Sequence, residues 1–145
     1  MQVAVLLGRV LFSGIFLMAI VGHFKPEVIQ GAAHKGIPAA GFLVPAAGLL
    51  AFVGGLSISL GYFARIGAWC IVAFLVPVTF TMHAFWKEED PKKAQMQMTQ
   101  FKKNMAMLGG ALLISWFGAG PCSVDAWRAS KEKNKVIVEN DAQKK

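Results

Sequence analysis

Apolar residues run almost unbroken from Val3 to Val21, Ala39 to Leu60, Ile66 to Met82 and Met105 to Ala119, and polar residues collect between these runs. A helix of about 20 apolar residues, rising 1.5 Å per residue, spans the roughly 30 Å hydrocarbon core of a bilayer. The pattern predicts an all-α, polytopic membrane protein: an antiparallel bundle of four transmembrane helices with a basic C-terminal tail. Helices are expected at about 3–22, 39–61, 66–85 and 94–119. Residues 1–127 would then form the transmembrane domain, and residues 128–145 a basic polar tail, interfacial or disordered.

Each run has its own signature. The first is interrupted only by Arg9 and continues through Phe16, Leu17 and Met18, whereas a cleaved signal peptide places its charge before the apolar stretch and ends in small residues. It is therefore expected to stay as a membrane helix. In the second, small residues recur at Ala47, Ala51, Gly55 and Ser59, the spacing that lets two helix backbones approach closely in lipid. The third carries Pro77 and is expected to kink near Val76. Between the third and fourth, Glu88-Glu89-Asp90-Pro91 reads as the start of a new helix near Lys92. The fourth run is short for a crossing, about 15 residues, but Met98 and Phe101 extend its stripe and Lys102 and Lys103 can snorkel to headgroups. Gly118-Ala-Gly-Pro121 stops it.

Composition agrees: 55% of the 145 residues are hydrophobic and only 16% charged. The net charge of +7 would raise the question of nucleic acid in a soluble chain, but these lysines stand where apolar runs end, facing anionic headgroups. No nucleic-acid partner is expected, and the bilayer is the partner the sequence implies. An even number of crossings puts both termini on one side. Six basic residues flank the membrane there against seven opposite, nearly balancing the positive-inside rule. Lys144 and Lys145 in the tail tip the reading toward the cytoplasm. Cys70 and Cys122 form no CxxC and no metal spacing, the seven methionines are expected in packing or lipid contact, and no nucleophile triad or phosphate loop is present, so no metal site is assigned.

Arg9 is the most informative residue, because a guanidinium within an apolar run costs about 2.5–3.5 kcal/mol on insertion scales and calls for a partner. The first helix starts where the fourth ends, so an ion pair between Arg9 and Asp125 is expected. Arg9, Ser13, Phe16, Ile20 and His23 share one stripe of the first helix, and Trp69, Val72, Val76, Thr79 and His83 one face of the third. Both lines end at the opposite surface, where His23 and His83 are expected to converge with Asn104, Lys103 and Lys25, flanked by His34 and Trp86. Such a mouth, with His23, His83, Lys25 and Asn104 as candidate cofactor-binding residues, offers donors to a quinone headgroup or imidazoles to a metal or haem. Histidine, lysine and tryptophan at helix ends also serve as plain interfacial anchors.

The order of several short motifs resembles the DoxX family: Arg9-Val-Leu-Phe-Ser-Gly14 with His23 and Lys25, Gly54-Gly55 with Gly61 and Arg65, then Lys103-Asn104 with Gly109-Gly110, Gly120-Pro121 and Asp125. The match covers about residues 5–125. The resemblance implies a four-helix protein of the bacterial inner membrane, akin to quinone-linked oxidoreductase subunits and redox accessory proteins. Two positions depart from the pattern: Ala51 replaces a glutamate carried by many members, and Phe24 replaces the glycine after the motif histidine. Two functions follow as expectations. One is a quinone-linked accessory or oxidoreductase subunit working with a partner redox protein, or as a homo-oligomer. The other is a non-enzymatic scaffold or chaperone that holds a partner. A transporter fits least, since four helices show no inverted repeat.

Overall fold

The computed structural model describes residues 2–143, so Lys144 and Lys145, which weighed in the orientation, lie outside the described residues. Within them every regular element is helical: α1 (Gln2–His23), α2 (Pro26–His34), α3 (Ala40–Leu60), α4 (Ala64–Met82), a 3-10 turn (Phe85–Lys87), α5 (Pro91–Phe117) and α6 (Val124–Gln143). Three stretches are long and apolar enough to cross a membrane: Gln2–His23, Ala40–Leu60 and Ala64–Lys87. The longest helix, α5, has 27 residues but carries Lys92, Lys93, Lys102 and Lys103 in its first half.

The long helices pack in sequence order, α1 on α3, α3 on α4 and α4 on α5. Their shared core holds Phe16, Ala51, Ile58, Ile71, Phe74 and Leu75. Only 17–33% of each apolar window is buried, and Leu11, Met18, Phe42, Ile66 and Leu113 stand exposed. Large apolar side chains on the outside and small residues inside are the pattern of helices solvated by lipid. Helix α3 shows why: a Cβ on Gly54 would lie 2.8 Å from the Gly67 carbonyl oxygen, and one on Gly55 3.1 Å from Phe16 Cβ. Its two small faces let α1 and α4 close on it from both sides.

Two polar segments outside the apolar runs are also helical. Residues 23–38 contain α2, opened by Pro26 with Glu27 in its first turn, and Ala32 is buried where α2 lies on α3. A proline at the first helical position followed by an acid is a helix start. Residues 124–143 form α6, largely exposed beyond its first turn. Asp90 caps α5, its carboxylate accepting from the Lys92 N–H at 2.9 Å.

Candidate functional site

The polar residues of the apolar region gather at the two ends of the long helices. At the end where α1 begins, the Arg9 side chain is buried, 5% exposed, between α3 and the α5–α6 turn. Its Nη1 donates to the Ala119 carbonyl at 2.7 Å, Nη2 to the Cys122 carbonyl at 2.8 Å and Nε to the Ser59 carbonyl at 3.3 Å. The turn aims the Ala119 and Cys122 oxygens through positive-φ backbone at Gly118 (φ 77°), Gly120 (φ 68°) and Cys122 (φ 55°). Left-handed geometry at a non-glycine residue is strained, and here the carbonyl that follows from it meets a cation.

The expected Arg9–Asp125 ion pair is not formed; Asp125 serves the same junction by separate bonds. Its carboxylate accepts the Phe63 N–H at 2.9 Å and the Ala64 N–H at 3.1 Å, capping the start of α4, while its own N–H donates to the Gly61 carbonyl at 2.8 Å. The first N–H groups of a helix have no acceptor within it, so they capture the carboxylate, and the guanidinium is left to the carbonyls. Gly61, at φ 65°, lies so close that a Cβ there would collide with Ser123 and stand 3.0 Å from Arg9 Nη1. Ser123 caps α6 by accepting the Ala126 N–H at 3.1 Å, and the Arg128 guanidinium stacks over Tyr62 and Phe63 at 5.4 and 5.3 Å.

The other end is bonded less completely. His23 Nδ1 lies 2.8 Å from the Ala19 carbonyl. A carbonyl only accepts, so Nδ1 is the donor, and in that tautomer Nε2 is the acceptor. The ring packs on Phe74 with centroids 5.6 Å apart, and a Cβ on Gly48 would come within 2.5 Å of His23 Cβ. His83 pairs instead with Gln97 at 2.8 Å. Since His83 follows Phe74 by nine residues, it sits about 13 Å further out. The two histidines occupy the same half of the protein at different depths, because α1 ends at the level of Phe74 while α4 runs on to Met82.

Between those depths lie two buried polar side chains. Thr79, 1% exposed, has a hydroxyl oxygen with no hydrogen-bond partner among the described residues. Asn104 is 5% exposed. It shares a stripe of α5 with Gln97, seven residues away, so the His83–Gln97 pair stands above it on the same face. Lys25 is exposed at the start of α2, and His34 and Lys103 are exposed as well. Sequence reasoning passed over Lys35, whose Nζ donates to the Met82 carbonyl at 2.7 Å and contacts Glu88 at 3.3 Å, closing the C-terminal end of α4. It also missed an aromatic cluster in which Phe80, Phe85 and Trp86 surround Phe101, with centroids 5.6–5.8 Å away. Cys70 and Cys122 are free thiols. Among the described residues no three His, Cys, Asp or Glu side chains converge as metal ligands.

Long apolar helices with lipid-type packing and an arginine wired to backbone carbonyls define a polytopic helical membrane protein. The DoxX family model matches residues 4–84, and the SURF4 family model matches residues 47–132. The chain belongs to the DoxX family. It is similar to the inner membrane protein YqjF of Escherichia coli (strain K12), with 32% identity over 128 residues that cover 86% of this chain and 91% of the relative. No solved structure matches it significantly.

Proposed function

We propose that the protein is a quinone-linked, redox-associated accessory subunit of the bacterial inner membrane, with the headgroup held at the loop end by His23, Thr79 and Asn104. Helix α5 serves as a fourth crossing, which puts the start of α1 and the start of α6 on one side. Its 27 residues extend about 40 Å, and Asn104 and Ala111 are buried where it meets α4. The relative is an inner membrane protein by name, which supports the same location for this chain.

The observation that carries the reading is the Thr79 hydroxyl, buried without a partner among the described residues next to the core of α4. Leaving such a group unsatisfied costs about 1–3 kcal/mol, and a ligand oxygen would remove that penalty. The donor set fits the headgroup: a hydroxyl and an amide N–H suit a quinone carbonyl, and the free His23 Nε2 suits the hydroxyl of the reduced form. When bound, the quinone would supply two-electron, two-proton exchange with a separate catalytic protein. Lys25 and His83 stand nearer the surface, where a headgroup would enter.

Small residues of α3 are spent inside the molecule, on Gly67, Phe16 and His23, which leaves a scaffold that recruits through that helix with little surface to offer. The test is to purify the protein in mild detergent and measure quinone per chain in the lipid extract. About one quinone per chain is expected, falling several-fold in His23→Ala and Thr79→Val. A protein free of quinone that brings down a defined partner would favour the scaffold and overturn this reading.

A further inference from the structure

The family-like motif at Gly61 and Arg65 has a second half that the proposed function does not use. Arg65 stands at the start of α4, exposed, with no hydrogen bond or carboxylate partner among the described residues. Its side chain lies across Gly118, with Nε 3.4 Å from where a Cβ of that glycine would stand. It thereby forms one wall of an open groove of about 490 Å³ between the start of α4 and the α5–α6 turn. Phe63, Ile66 and Phe117 supply apolar walls, and Ser123 and Asp125 a polar floor. We infer that this groove binds an anionic phospholipid, with its phosphodiester on Arg65 and an acyl chain against Ile66 and Phe117.

Three features point to that occupant. The guanidinium is a planar fork suited to a phosphate, and a second cation, Arg128, lies over the ring of Phe63 at 5.3 Å. The one acid lining the groove among the described residues, Asp125, is already engaged through both oxygens by the N–H groups of Phe63 and Ala64, so it caps a helix rather than pairing with Arg65. The groove also sits at headgroup level: Trp69, Trp116 and Trp127 are all exposed at this end, 57%, 76% and 58%, as in an interfacial aromatic belt. A lipid supplies both the charge for Arg65 and the chain for the apolar walls, which free phosphate does not. The inference is independent of any quinone at the opposite end.

The test is retention of lipid by the whole protein, reconstituted in nanodiscs of equal phosphatidylglycerol and phosphatidylcholine and then stripped with mild detergent before native mass spectrometry. Wild type is expected to keep phosphatidylglycerol preferentially. Arg65→Gln is expected to lower that retention about 5-fold, the effect of one cation at an anionic surface, and Arg65→Lys to lower it less. Arg65 is exposed, so an unchanged melting temperature in Arg65→Gln checks that the fold is intact. Equal retention of both lipids by wild type, or undiminished phosphatidylglycerol on Arg65→Gln, overturns the site. Displacement of the lipid by millimolar inorganic phosphate alone would assign the groove to free phosphate and likewise overturn it.

Discussion

The two ends of this protein handle buried polarity in opposite ways. At the end where α1 begins, the buried polar groups find mates: Arg9 meets three carbonyls, Asp125 two N–H groups, and Ser123 caps α6. At the other end, among the described residues, the Thr79 hydroxyl is the buried side-chain group left without a partner, and His23 is bonded through one ring nitrogen. A saturated network specifies one arrangement of helices, and an unsaturated one marks a place that something else completes. The buried network at the first end holds the fold together, and the unpartnered hydroxyl at the second is what the proposed quinone site rests on.

The largest expected effect attacks the saturated end. Arg9→Met removes the cation serving the Ser59, Ala119 and Cys122 carbonyls and should destabilise by roughly 3–5 kcal/mol in detergent unfolding. Asp125→Ala frees two N–H groups at the head of α4 and should cost about 1–3 kcal/mol by the same measurement. Because the two residues are not paired, Asp125→Ala should cost nearly as much in the Arg9→Met background, which a double-mutant cycle reads directly. At the other end, Gly48→Ala should force His23 aside, lowering stability by about 1–2 kcal/mol and lowering bound quinone with it. The smallest effect belongs to Lys35→Ala, under about 1 kcal/mol, since its contacts with Met82 and Glu88 are partly exposed.

Much of the fold was legible in the sequence, for physical reasons that also mark where reading failed. The stripe Arg9, Ser13, Phe16 on α1 is the buried face, because a charge and a hydroxyl stand out against an apolar run. On α4 nearly every residue is apolar, so hydrophobicity carries no facing information. Trp69 and Val76, grouped on one face with Thr79, are exposed whereas Thr79 is buried, and the buried face is marked by Ala64, Gly67, Ala68 and Ile71. Small residues, not apolar ones, signal the interior of a membrane helix. The partners of Arg9 were invisible because they are backbone oxygens, two of them set by positive-φ residues of one turn and one at the end of α3, whereas the carboxylate of Asp125 offered an obvious pair. Thr79 was not among the candidate mouth residues, because a hydroxyl within an apolar run marks a site only once its partners are known, and the depth of His23 relative to His83 depends on where each helix ends.

Thr79→Val tests the central claim most directly, because it swaps the unpartnered hydroxyl for a methyl of the same shape. If that oxygen is unsatisfied in the empty protein, thermal unfolding of the quinone-free variant should show unchanged stability or a gain of up to about 1 kcal/mol, while bound quinone falls. A loss of stability of about 1 kcal/mol or more, with quinone content untouched, would mean the hydroxyl serves the fold, and the division between the two ends would not hold.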